Sequence, residues 1–195
     1  MNSRILLIRH SKTAGNLRGN YIGVTDEPLC PEGILLLKRK RFPTVEKVYV
    51  SPLKRCTETA EILWPGISTE RVTELRECNF GDFENKNYKD LDGNPDYQAW
   101  IDSQGTLPFP NGESQQAFRK RCCLGFELIA QDVLQNGLKK AAVVCHGGTI
   151  MSILEAYGMP VRPFYDWQVP NGRGFWTELP ENWKPGERIS VLEKV

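Results

Sequence analysis

The chain alternates between two hydrophobic rhythms. Arg4 to Ile8, Lys47 to Val50 and Ala141 to Cys145 are short apolar runs that break off at polar residues, the pattern of strands buried on both faces. Thr69 to Leu75 reads as another short strand, and Phe175 to Leu179 and Ile189 to Leu192 as two final ones. Between the strands, apolar residues recur every three or four positions. Leu53, Cys56, Ala60 and Leu63 predict a helix with Ser51 as N-cap and Pro52 in its first position, stopped by Pro65. Phe118, Cys122, Phe126, Ile129 and Val133 predict a longer one that leaves through Asn136-Gly137. Ile150, Ile153, Leu154 and Tyr157 predict a third, opened by Gly147-Gly148 and closed by Gly158 and Pro160. Strands alternating with helices predict an α/β protein, a three-layer α/β/α sandwich around a mostly parallel central sheet. Ligands of such sheets bind beyond the carboxyl ends of the strands.

At 195 residues the chain has the length of a single domain, residues 1–195, and it contains no internal repeat. A hydrophobic content of 40%, before 17 glycines are added, is ordinary for a globular protein and argues against disorder. The formal net charge of +1 gives no broad field for nucleic acid or an anionic membrane. The one basic run, Lys38 to Arg41, reads as a solvated helix end. No stretch reaches the length of a membrane span and no secretion signal is visible, so a cytoplasmic location is expected. The six cysteines lack framework spacing and are expected to be reduced thiols. Neither C-x-x-C nor clustered histidines marks a metal site, and no cofactor is implied. The oligomeric state is not legible.

Candidate chemistry gathers at the strand exits. His10 follows the first strand and His146 follows Ala141 to Cys145, so the chain's two histidines share one edge of the sheet. Arg55 lies in the first turn after Lys47 to Val50, and Glu77 follows Thr69 to Leu75. This inventory suits phosphoryl transfer through a phosphohistidine. A neutral imidazole attacks phosphorus, guanidinium groups balance the charge on the non-bridging oxygens, and a carboxylic acid protonates the departing alkoxide. No metal is needed for that division of labour. Arginine fits because its fork presents parallel donors to two phosphate oxygens, and Gly147-Gly148 adds backbone N–H groups beside His146.

The motifs themselves carry a resemblance. LLIRHSKTAGN, from Leu6 to Asn16, is similar to the R-H-G-x-T-x-x-N opening of the histidine phosphatase superfamily, in its phosphoglycerate mutase-like branch. The similarity continues in order through GVTDEPLCPEG (Gly23 to Gly33), SPLKRCTETA (Ser51 to Ala60), LRECNFGDFE (Leu75 to Glu84), NGESQQAFRKR (Asn111 to Arg121) and VVCHGG (Val143 to Gly148). Within the branch the chain resembles the alpha-ribazole phosphatase-type and broad-specificity phosphatases. The resemblance implies a phosphoglycerate mutase-like fold, with His10 as nucleophile, Arg9, Arg55 and His146 as the charged phosphate pocket, and Glu77 as the acid. It also implies that Asn16 helps hold the phosphate and that Gly23 lines the mouth of the pocket. Glu84 is expected to be structural, and Glu113, a helix-start residue, is the second candidate for the acid.

Departures from the pattern bear on specificity. Ser11 stands where glycine is usual and would add a hydroxyl near the nucleophile. Lys12 replaces glutamate or glutamine and would add positive charge to the outer pocket. Leu36 and Leu37 stand where Gln-Ala is frequent, and Cys56 and Glu58 replace alanine and glutamine beside Arg55. Residues 80–111 carry Phe80, Phe83, Tyr88, Tyr97, Trp100 and Phe109 among polar neighbours, a candidate cap over the pocket or a connection packed on the core. Arg173, in PNGRGFW, is a candidate for the rim. The expected activity is metal-independent hydrolysis of a small phosphorylated metabolite. The alternatives are phosphoglycerate mutase-type phosphoryl transfer and a non-catalytic module that binds a phosphorylated ligand. Sugar phosphates, phosphoglycerate and the nucleotide-loop phosphate of cobalamin synthesis all remain open as substrates.

Overall fold

A computed structural model describes residues 2–195 of the chain. In chain order the elements are β1 (Ser3–Arg9), α1 (Ala14–Arg18), α2 (Pro31–Lys38), β2 (Lys47–Val50), α3 (Lys54–Leu63), β3 (Thr69–Arg71), α4 (Pro95–Asp102), α5 (Gln115–Gln135), β4 (Lys140–Cys145), α6 (Gly147–Tyr157), β5 (Gly158–Met159), β6 (Gly174–Leu179) and β7 (Ile189–Lys194). The seven strands form one sheet in the order β3-β2-β4-β1-β6-β7-β5. Only β6 runs against the others, so four of the six pairings are parallel.

The continuous apolar runs follow from cover on both faces. Ile5 and Leu7 of β1 face a cluster built with Phe118, Phe126, Ile129, Ile150 and Ile153 of α5 and α6. Leu6 and Ile8 face the other side, where Cys56, Ala60 and Trp64 lie on and just beyond α3. All four β1 side chains are fully buried, each contributing roughly 1.5–3 kcal/mol of transfer free energy. The register then sets the site edge: Arg9 lies opposite Cys145, Val50 opposite Val144 and Arg71 opposite Val50, so four parallel strands end level with one another.

Two predicted boundaries are corrected. The helix after β2 begins at Lys54 with Leu53 at its N-cap position, not at Ser51 and Pro52. The Ser51 hydroxyl is bonded to His146, and the N-terminus is capped from another segment, Lys54 N–H donating to Asp26 Oδ1 at 2.7 Å. The strand expected over Thr69 to Leu75 ends at Arg71, and Thr73–Leu75 forms a 3-10 turn. As an exposed edge strand, β3 has no core to follow, and the turn drives Leu75 into the cluster beneath α5 instead. Three short helices, α1, α2 and α4, lie outside what periodicity predicts. Among the described residues no helix is long and apolar enough to cross a membrane. All six cysteines are free thiols.

Candidate active site

His10 leaves the end of β1 with its backbone N–H still paired to Cys145 O, and its side chain is only 3% exposed. Its Nδ1 lies 2.6 Å from Ser11 O. A carbonyl only accepts, so Nδ1 carries the proton and the lone pair is on Nε2. Burial, reinforced by Arg55 and Arg9, holds the ring well below the ordinary histidine pKa, which keeps it neutral at physiological pH. Asn171 Nδ2 donates to His10 O at 3.1 Å and Ser11 O at 3.4 Å, bracing the same carbonyl that fixes the tautomer.

His146 faces His10 with ring centroids 5.2 Å apart and planes at 65°. It is fully buried between two partners: Arg55 Nε donates to Nδ1 at 3.3 Å, and Nε2 meets Ser51 Oγ at 2.8 Å. Nδ1 is therefore the acceptor and Nε2 the donor. Burial, with Arg55, His10 and Arg9 adding to it, pushes this ring well below 6.5 too.

The two arginines are engaged differently. Arg55, 0% exposed, gives Nη1 to Thr25 O at 2.7 Å and Nη2 to Gly23 O at 2.9 Å and Ile22 O at 3.3 Å. Its charge is in the site while most of its donors tie down residues 22–25. Arg9 gives Nη1 to Val169 O at 2.9 Å, but its buried Nε has no partner among the described residues. An unpaired buried guanidinium donor is costly, and an anion would satisfy it. Gly147, opening α6, packs against this atom: a Cβ there would stand 3.4 Å from Arg9 Nε.

Glu77 is not delivered by a strand end. It follows the 3-10 turn, and Arg121 of α5 fixes that segment, donating to Glu74 O at 2.7 Å, Arg76 O at 2.9 Å and Glu77 O at 3.4 Å. The carboxylate accepts from Cys78 N–H at 2.9 Å and Gly148 N–H at 3.4 Å. Burial raises its pKa, against the lowering effect of those bonds, Arg55 and Arg9. Glu113, the other acid candidate, is held by Arg121 in a two-point ion pair at 2.7 and 3.1 Å.

Asn16 belongs to a capping box with Thr13 at the start of α1. Its Oδ1 accepts from Thr13 N–H at 3.3 Å and Asn171 Nδ2 at 3.1 Å, which leaves the amide NH2 for an anion. Gly23 admits no side chain, because a Cβ would overlap the Cys78 carbonyl. Its N–H and that of Thr25 go to Glu84 Oε1 at 2.8 and 2.9 Å, the structural use expected of Glu84. The Ser11 hydroxyl corrects its expectation, since it turns into the fold and donates to Gly33 O at 2.7 Å. Lys12 and Arg173 are exposed. Sequence reasoning misses Asn171, Ser51 and Arg121 as parts of this network. PNGRGFW draws notice for Arg173, two residues from the amide that matters.

Two cavities meet at Glu77. One, about 430 Å³, is lined by Gly23, Leu53 and Asn79 and by the charged side chains of Arg76, Glu113 and Arg121 with Glu77. The other, about 180 Å³, is walled by aromatic rings and shares Glu77 and Gly148. Of the aromatics in residues 80–111, Phe80, Trp100 and Phe109 line it, Phe83 and Tyr97 are buried in the core cluster, and Tyr88 is exposed. Among the described residues no group of three or more His, Cys, Asp or Glu side chains is arranged to hold a metal ion.

This arrangement agrees with what the chain is similar to. The profile of the histidine phosphatase superfamily (branch 1) matches residues 5–182, and the chain belongs to that superfamily as an enzyme of the histidine phosphatase class. It is 31% identical over 194 residues to the adenosylcobalamin/alpha-ribazole phosphatase of Escherichia coli (strain K12), covering 93% of this chain and 91% of that one. The crystal structure of the alpha-ribazole phosphatase from Shigella flexneri matches with a TM-score of 0.77 at 28% identity, over 97% of this chain and 94% of that one. The crystal structure of a phosphoglycerate mutase from Thermus thermophilus matches with a TM-score of 0.68 at 31% identity, over 98% of both chains. The fold is accordingly phosphoglycerate mutase-like.

Proposed function

We propose that the protein hydrolyses a small phosphomonoester without a metal, through a phosphohistidine at His10. The observation that carries this reading is the tautomer: with Nδ1–H on Ser11 O, the Nε2 lone pair is free in a buried site beside two arginines. In the first step Nε2 forms a bond to phosphorus, the bond from phosphorus to the alcohol oxygen breaks, and protonated Glu77 gives its proton to that oxygen. In the second step ionised Glu77 takes a proton from water as the water oxygen attacks phosphorus. The P–N bond breaks and neutral His10 is restored. Arg9, Arg55, Asn16 and the α6 N-terminus at Gly147 balance the charge on the transferring group. His146, hydrogen-bonded on both nitrogens, completes the pocket.

Incubation with an aryl phosphate, with and without a chelator, tests the activity: phosphate release that survives the chelator is expected. Absence of turnover, or its loss with chelator, contradicts the reading. A phosphorylated acceptor in place of free phosphate would identify a mutase.

Two substitutions probe the supports. Arg55→Lys should lower kcat/KM by about 30- to 1,000-fold, because a lysine cannot at once keep the charge beside His10, the bond to His146 Nδ1 and the bonds to residues 22–25. It should also lower Tm, since the carbonyls of residues 22–25 lose their donors. Wild-type kinetics in that variant would exclude Arg55 from the pocket. Asn171→Ala should reduce kcat/KM by about 5- to 30-fold through looser placement of His10 and Asn16. An unchanged value would mean that His10's own bond to Ser11 suffices.

A further inference from the structure

Ser51, Arg55 and Thr59, just before and along α3, follow one another at intervals of four and are all fully buried. Ser51 and Arg55 bond to His146. Thr59 turns toward the other imidazole. Its hydroxyl donates to Arg55 O at 2.6 Å, the bond a helical threonine makes back to the preceding turn. With its proton committed there, the oxygen is an acceptor, and it takes the Ser11 N–H at 3.0 Å. We propose that Thr59 is a positioning residue for the nucleophile, its hydroxyl oxygen fixing the peptide plane next to His10 and registering it against Arg55. This rests on His10 being the nucleophile of the proposed reaction.

The peptide between His10 and Ser11 is planar, with its C=O on one edge and its N–H on the other. Turning that plane changes ψ of His10 and φ of Ser11 together. The first swings the imidazole, and the second moves Ser11 O, which holds the ring's Nδ1–H. The two edges are secured unequally. His10 O accepts from Asn171 Nδ2 at 3.1 Å and from Gly172 N–H at 3.2 Å. On the opposite edge Thr59 Oγ1 is the one acceptor of the Ser11 N–H among the described residues. Without that oxygen a buried donor is left unpaired, and the plane turns to relieve it. A misplacement of about 1 Å at a reacting atom is enough to cost about 100-fold in rate. The bond to Arg55 O ties the same oxygen to the residue whose guanidinium faces the phosphate, so imidazole and cation keep one spacing. A hydroxyl that merely satisfies the core should behave like Thr177, which is equally buried and donates to Ile5 O at 2.9 Å, in the middle of β1 and away from its exit.

The test follows single turnovers of an aryl phosphate and measures how fast phosphorus appears on His10, in variants assayed below their melting temperatures. Thr59→Val keeps the shape and removes the oxygen. It should slow the maximal rate by about 10- to 100-fold, while the substrate concentration giving half that rate stays within about threefold, because Arg9, Arg55 and Asn16 still bind the phosphate. Thr59→Ser restores the oxygen and should return the rate to within about threefold of wild type. Thr177→Val, which loses a comparable buried hydroxyl, should lower Tm and leave the rate unchanged. If Thr59→Val does not fold, Thr59→Cys, whose sulfur is a weak acceptor, takes its place with a loss of at least about fivefold expected. A wild-type rate in that variant or in Thr59→Val, a Thr59→Ser rate as low as that of valine, or an equal loss in Thr177→Val would overturn the positioning role and leave the phosphatase reading intact. No phosphorus on His10 of the wild-type enzyme during turnover would overturn both.

Discussion

Replacing His10 with alanine is expected to abolish turnover, with kcat/KM falling by about 10⁴-fold or more, because the covalent step disappears altogether. No other side chain can stand in. His146 is the only other imidazole, and both of its nitrogens are occupied, by Arg55 and by Ser51. The cysteines near the site are not substitutes either, since burial raises Cys56 to about 12 and Cys145 well above 9.0. Steady-state assay of the purified variant, with a thermal melt to establish that it folds, measures the effect. Turnover within tenfold of wild type would remove His10 from the chemistry.

The second large effect is expected of Glu77→Gln, and it depends on the leaving group. Glutamine keeps the shape and the hydrogen bonds to Cys78 and Gly148 within reach but has no proton to give. Alkyl esters, whose alkoxides depart only with a proton, should lose about 10²- to 10⁴-fold in kcat/KM. Nitrophenyl phosphate, whose leaving group needs no acid, should lose little in the first step. The pH profile gives an independent reading. Burial holds the Glu77 pKa above 4.5, and the first step needs the protonated form, so kcat/KM for an alkyl ester should fall as pH rises through that raised value. His10 has the opposite sign: its pKa is depressed below 6.5, so the nucleophile is lost only as pH falls through the depressed value. The substrate's own second ionisation, near pKa ~6, is common to both enzymes. The difference between the wild-type and Glu77→Gln profiles therefore isolates the carboxyl. An identical alkaline limb in the two would reassign the acid, with Glu113 the remaining carboxyl candidate in spite of its ion pair to Arg121.

How much of this can be read beforehand depends on the range of each interaction. β1, β2 and β4 are legible because cover on both faces writes itself as unbroken apolar runs, and α5 because seven of its residues repeat on one buried face. By contrast α2 reads poorly: Ile34 to Leu37 are consecutive apolar residues of which only Leu37 is buried, a pattern with no helical period. The start of α3 misleads for a chemical reason. Ser51 is a good N-cap by type, but its hydroxyl is committed to His146, ninety-five residues away, and Asp26 caps the helix instead.

The same distinction runs through the site. Arg9, His10, Arg55, Glu77 and His146 stand in contiguous motifs and can be nominated together, and the structure brings them to one edge of the sheet. What locks them does not appear in any local pattern. Asn171 acts on His10 across 161 residues and Arg121 on Glu77 across 44, each through a backbone carbonyl that any residue would supply. A side chain bonding to a carbonyl leaves no mark on the sequence of its partner.

The most direct test of the central claim is to trap the enzyme during turnover of a phosphorus-labelled ester, denature it quickly in alkali, and map the label by peptide mass. The account predicts acid-labile, alkali-stable phosphorus on the His10 imidazole, formed and discharged at rates compatible with turnover. Phosphorus on another residue, or none during active hydrolysis, would contradict it.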